Sequence, residues 1–280
     1  MQLSLYELHD GVNPTDRKIF RDLDAQTSAA VKVAQAAREY LGVDLHIQRN
    51  EWKTADEALK GWRAAVENAG VYVFKNTFKQ KDISGFCSYD DEFPLIYINN
   101  STAKTRQIFT ILHELGHVLQ GTGGVTKRDD SYINVLSGES REIEVFCNRF
   151  AAECLLPTNV IKSELKSTDD VAITQLAAAY KVSRQVVLTR LVSLRMISQA
   201  QYEAKAAQWK AEYDAQQKDE AGGNYYLTQA AYLGDRFLRL AFSRYYEGRI
   251  SPERLAEVLN VKVDNLAGLE QVALQGPGHL

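Results

Sequence analysis

Residues 104–120 read KTRQIFTILHELGHVLQ, and the run His113-Glu114-Leu115-Gly116-His117 inside it decides what the chain is built around. Ile108, Ile111, Leu112, Leu115 and Leu119 recur at helical spacing, and Gly121, Gly123 and Gly124 end the pattern, so the segment predicts an amphipathic helix. On a helix, residues four apart share a face. That places His113 and His117 close enough to hold one metal ion, and with Glu114 they form the H-E-x-x-H arrangement of zinc hydrolases. The alternative, two solvated histidines on a surface helix, is disfavoured by the apolar helical context and by a total of only five histidines in 280 residues.

A hydrolytic zinc needs a third protein ligand and one open position. The segment from Ser140 to Pro157 carries Ile143, Phe146, Cys147, Phe150, Cys154 and Leu155 at helical spacing, and the proline stops it. Glu144 lies on the flank of that apolar stripe. A carboxylate facing a buried seam is costly unless it is paired or metal-bound, whereas Glu142 and Glu139 can stay in solvent. Helical facing thus favours Glu144 over Glu142 as the third ligand.

The stretch from Ile96 to Leu119, IYINNSTAKTRQIFTILHELGHVL, followed by residues 144–157, EVFCNRFAAECLLP, resembles the ImmA/IrrE family of metallopeptidases. The family signature is a strand ending in Asn, an Arg-Gln-x-Phe-Thr lead into H-E-x-x-H, and a later E-x-x-A-N-x-F-A-x-x-L-L-x-P. The resemblance puts the family's histidine ligands on His113 and His117, its general base on Glu114, and its glutamate ligand on Glu144, 27 residues after His117. Cys147 stands where the family usually has Ala, a small residue for a small one. Weaker similarity extends through residues 62–74 and 222–269, the latter like the tail of larger regulator-type members. Many such members begin with a helix-turn-helix DNA-binding domain, and the first 60 residues here show no such pattern.

The chemistry implied is zinc-dependent peptide hydrolysis. His113, His117 and Glu144 hold Zn2+, and Glu114 takes the proton of the attacking water. An oxyanion donor is sought in the loop after the metal helix, where Tyr132 is the candidate, with Lys127 and Arg128 as less direct ones. Asn148, one turn after Glu144, is placed to orient a ligand, and Asp129 and Asp130 are read as solvated. The resemblance implies a protein substrate, most plausibly a co-encoded helix-turn-helix repressor, in a stress or mobile-element switch. The competing reading is a non-catalytic regulator or antitoxin-like module that binds DNA or a co-encoded toxin, with the metal kept for structure.

Composition fits a soluble cytoplasmic protein with 45% hydrophobic and 25% charged residues. No apolar run is long enough to span a membrane and no signal-like segment opens the chain. A net charge of −3 provides no overall attraction for nucleic acid. Cys87, Cys147 and Cys154 read as reduced core thiols.

The expected fold is α+β and mostly helical: a zincin-like core with a small antiparallel sheet beside the metal helix, plus helical appendages. Thr15 to Leu41 and Thr54 to Ala69 predict amphipathic helices, and residues 71–74, 85–89 and 95–98 predict short strands. An edge strand near a zinc site can pair with an extended peptide; the strands at 95–98 and 85–89 are the candidates for that part, and a purely structural role for them stands equally open. Residues 171–198 predict a helix-turn-helix-like pair turning at Lys181-Val182-Ser183. Lys181, Arg184, Arg190 and Arg195, with no acid between, make DNA contact conceivable there, but such pairs are also common packing units and that plainer reading leads. The last module aligns Ala231, Leu233, Phe237, Leu240 and Ala241 on one face, with Ser251 capping a helix that starts at Pro252. The organisation expected is an N-terminal helical segment (1–66), the peptidase core (67–160), the helix-turn-helix-like unit (161–200), a connector (201–223) and a C-terminal helical module (224–280).

Overall fold

A computed structural model of the chain describes residues 1–80, 82–127, 133, 135–216 and 224–275. In chain order the elements are α1 (Gln2–Leu8), α2 (Ile19–Asp22), α3 (Ala30–Leu41), α4 (Ala55–Asn68), β1 (Tyr72–Asn76), β2 (Ile83–Ser88), β3 (Leu95–Asn99), α5 (Lys104–Leu119), β4 (Gly124–Lys127) and α6 (Gly138–Leu155). There follow α7 (Thr158–Glu164), α8 (Asp170–Tyr180), α9 (Arg184–Ser193), α10 (Gln199–Gln216), α11 (Tyr225–Leu233), α12 (Asp235–Tyr246), α13 (Pro252–Val258) and α14 (Leu266–Gln275). The fold is α+β and mostly helical, as the sequence predicts.

The sheet departs from the expectation in kind and in order. Its four strands run β1-β3-β2-β4; β2 pairs antiparallel with β3 and β4, but β1 pairs parallel with β3, so the sheet is mixed. Both strands proposed as edges, β2 and β3, are interior. The outer strands are β1 and β4, and β4 was unforeseen because its glycines read only as the end of α5.

Strand alternation sorts the residues onto two faces. Val73, Ile96, Ile98 and Cys87 turn toward α3, α4, α5 and α6, in a core that includes Trp62, Ile111, Leu115 and Phe150. Tyr72, Phe74 and Leu95 turn the other way, into a second core with Leu5 and Leu8 of α1 and Phe237, Leu238 and Leu255 of the C-terminal helices. The metal helix α5 lies on the first face. Gly85 of β2 lets it come close, since a Cβ there would collide with the Thr110 side chain of α5 and lie 2.7 Å from the Tyr97 carbonyl.

The helix expected over residues 15–41 is broken between α2 and α3. Asp24 Oδ1 accepts from the backbone N–H groups of Gln26 and Thr27, and this local turn replaces the helical pattern. Elsewhere the predicted signals hold: Thr54 caps α4 through Glu57 N–H, and Ser251 caps α13 with Pro252 in its first turn. Ala231 is exposed rather than aligned with Leu233 and Phe237, because Gly234, at φ +85°, separates α11 from α12.

Candidate metal centre

Two helices and one strand build the site. α5 presents His113 and His117 one turn apart, and α6 crosses it to present Glu144. The crossing is close because both helices carry small residues there: a Cβ on Gly116 would lie 3.1 Å from the Cys147 sulfur. The small residue expected at Cys147 thus meets the glycine of the motif itself.

The three side chains converge on one point. His113 Nε2 and His117 Nε2 are 3.2 Å apart, and they lie 3.3 and 3.4 Å from the two oxygens of Glu144. Ligands at about 2.0–2.1 Å from a tetrahedral zinc are separated by about 3.3 Å, so the triangle has the size such an ion requires. All three residues are buried, whereas Glu142 and Glu139 are exposed, as their helical positions predict. These three residues can hold a metal ion.

The other ring nitrogens support that orientation. His113 Nδ1 lies 2.9 Å from Asn148 Oδ1, an acceptor, so this nitrogen carries the proton and Nε2 keeps its lone pair for a metal. His117 Nδ1 is 3.4 Å from the Thr122 hydroxyl. Asn148 therefore sits where α6 was expected to place a supporting residue.

Glu114 is fully buried beside the triangle. Burial pushes its pKa up, while the neighbouring His113 and His117 pull it down. One oxygen, Oε1, accepts from the Thr126 hydroxyl of β4 at 2.5 Å; the other, Oε2, is buried without a hydrogen-bond partner among the described residues. An orphaned carboxylate oxygen in such a place fits a site completed by an ion and water.

β4 also determines the space at His117. A Cβ on Gly124 would lie 2.5 Å from His117 Cδ2, so only glycine fits. Gly124 and Thr126 were not recognised from the sequence, since nothing local marks residues 124–127 as a strand packed on the motif. Of the oxyanion candidates, Tyr132 and Arg128 lie outside the described residues, as do Asp129 and Asp130. Lys127 is exposed, and alternation turns it to the face of β4 opposite Thr126. The three thiols are free and buried, and burial raises the pKa of each.

A helix-borne H-E-x-x-H with a glutamate from a second helix, packed beside a small sheet, defines the class: a zincin-like fold with a residue group that can hold a metal ion. Residues 66–192 match the family model of the M78 peptidases described as the IrrE N-terminal-like domain, so this segment is similar to that domain. No curated protein matches the chain.

Proposed function

We propose that the protein is a zinc-dependent endopeptidase. The observation that carries this reading is the pairing of a metal-sized ligand triangle with a buried glutamate, one oxygen of which has no hydrogen-bond partner among the described residues. A purely structural zinc needs no such carboxylate. His113, His117 and Glu144 hold the ion. Zinc, when bound, supplies Lewis acidity toward the scissile carbonyl and makes the attacking water easier to deprotonate. Glu114 takes the proton of that water at Oε2 and passes it to the leaving amine, work typically worth about 10² to 10⁴ in rate. Tyr132 remains the proposed donor to the developing oxyanion.

The substrate-binding edge passes from β2 and β3, which are interior, to β4. It has only β2 as a strand neighbour among the described residues and carries Thr126 beside Glu114. A peptide laid along β4 would be extended, so the substrate must offer a locally unfolded stretch. The most plausible substrate is a co-encoded helix-turn-helix repressor, cut in an exposed linker to relieve repression, in a stress or mobile-element switch. Zinc is the expected native ion and the cytoplasm the expected compartment; no helix among the described residues is long and apolar enough to cross a membrane.

The DNA-binding reading relied on Lys181, Arg184, Arg190 and Arg195, in and beside α8 and α9, and most of that charge is engaged within the chain. Arg190 is buried, ion-paired to Glu153, and donates to the Leu156 carbonyl at 2.9 Å. Lys181 donates to the Arg49 carbonyl at 2.6 Å, and Arg184 pairs with Glu212 while lying over the Trp209 ring. Of the four, Arg195 is the fully exposed one with no such partner described. The pair therefore reads as packing rather than DNA-contacting surface.

Incubating the purified protein with the product of its neighbouring gene, with and without a chelator, tests the proposal. The expected result is a single cut that the chelator abolishes. No cut in any co-encoded protein, together with tight specific DNA or toxin binding, would instead establish the regulator reading.

A further inference from the structure

The proposed base is itself held by the strand proposed to bind substrate. Thr126 is the only residue of β4 that is fully buried, and its hydroxyl is directed at Glu114 Oε1. A hydroxyl has one proton to give, and this one is given to the carboxylate. Gly85, whose Cβ would lie 3.6 Å from Oε1, and the Cys87 thiol, a weaker hydrogen-bonding neighbour of the carboxylate, also flank Glu114. A buried glutamate has three side-chain torsions to fix, and in a dry site one hydrogen bond holds more firmly than it would in water.

We infer that Thr126 is a positioning residue: its hydroxyl ties Glu114 Oε1 to β4 and thereby leaves Oε2 fixed in the direction of the attacking water. The inference rests on the reading of Glu114 as the base. It adds that base geometry and substrate edge are properties of the same strand, so β4 must be in place before the base is aligned. If Thr126 were only a filler of the space between β4 and α5, valine, its near-isostere, would serve as well.

The test compares Thr126→Val, Thr126→Ser and Glu114→Gln chains with the parent in two ways. Cleavage kinetics are measured on the co-encoded repressor, or on β-casein as an unstructured surrogate. The visible absorption spectrum of the cobalt-loaded protein reports the metal's surroundings without any turnover. Thr126→Val should keep one metal ion per chain and lower kcat by about 10- to 100-fold with KM little changed, the scale set by a misplaced catalytic group. Its cobalt spectrum should move toward that of Glu114→Gln. Thr126→Ser, which keeps the hydroxyl, should restore both. The double change Thr126→Val/Glu114→Gln should be no slower than Glu114→Gln alone, because the two act through one group.

Parent-like kcat and spectrum in Thr126→Val would overturn the inference, as would Thr126→Ser being as impaired as Thr126→Val. Thr126→Ala, which adds no new packing demand, carries the same comparison if Thr126→Val does not fold. Failure of the underlying reading looks different: Glu114→Gln itself would then cleave like the parent and leave the cobalt spectrum unmoved.

Discussion

His117 can face the ligand triangle only because residue 124 has no side chain. Adding a methyl there leaves every proposed ligand chemically intact but drives β4 and the imidazole apart. Gly124→Ala is expected to weaken metal affinity by about 10- to 100-fold, as changes to the groups that orient ligands do; chelator competition measures this, and an unchanged affinity would mean that the ring tolerates the displacement. The ligands themselves predict a sharper pattern. His113→Ala, His117→Ala and Glu144→Ala should each purify without metal, while Glu142→Ala, exposed on the same helix, should keep it. Elemental analysis decides between them, and metal lost from Glu142→Ala alone would transfer the ligand role to that residue. His113, His117 and Glu144 were legible in the sequence because helix periodicity converts spacing into facing, and facing into burial. Thr126 and Gly124 were not, since their contacts with Glu114 and His117 depend on a strand folding back onto the helix before it.

The readable elements are those whose local signals agree with their packing. α4, α5 and α6 combine an apolar stripe with a cap or a terminating proline or glycine, and each forms close to its predicted bounds. The segment before α3 shows the opposite case, in which an apolar period continues across a turn held by one aspartate. Strand order was beyond reach for another reason. Which strand lies at an edge depends on pairing between β1 and β3, distant in sequence, and no residue of either strand states it. At α9 the sequence showed charge but not its direction. Arg190 points into the core against Glu153, so Arg190→Ala should cost about 3 kcal/mol by leaving a buried carboxylate without its cation. Denaturant unfolding measures that cost, and a chain of unaltered stability would return Arg190 to the surface and to the DNA-contact reading.

The molecule is assembled around both faces of one sheet, with α5 and α6 on one side and α1 with the C-terminal helices on the other. His9 helps to hold the second side: its Nε2 lies 2.6 Å from the Tyr72 hydroxyl and its ring stacks on Phe93. Burial, followed by the charges of Arg236 and Arg244, lowers its pKa from 6.5 to about 4. Below pH 6.5 the unfolded chain takes up a proton that folded His9 refuses until about pH 4, so stability falls as the pH drops through that window. The parent should lose more stability between pH 7 and pH 5 than His9→Gln does in matched denaturation curves; equal losses would show that His9 does not contribute. The same two-sided construction holds α5, α6 and β4 in the arrangement proposed to perform metal-dependent peptide hydrolysis with Glu114 as its base. The most direct measurement is zinc content and cleavage of the co-encoded protein, taken side by side for the parent and Glu114→Gln. One zinc per chain in both, with cleavage lost by several orders of magnitude only in Glu114→Gln, is the predicted result; equal cleavage by the two chains, each holding its zinc, would contradict it.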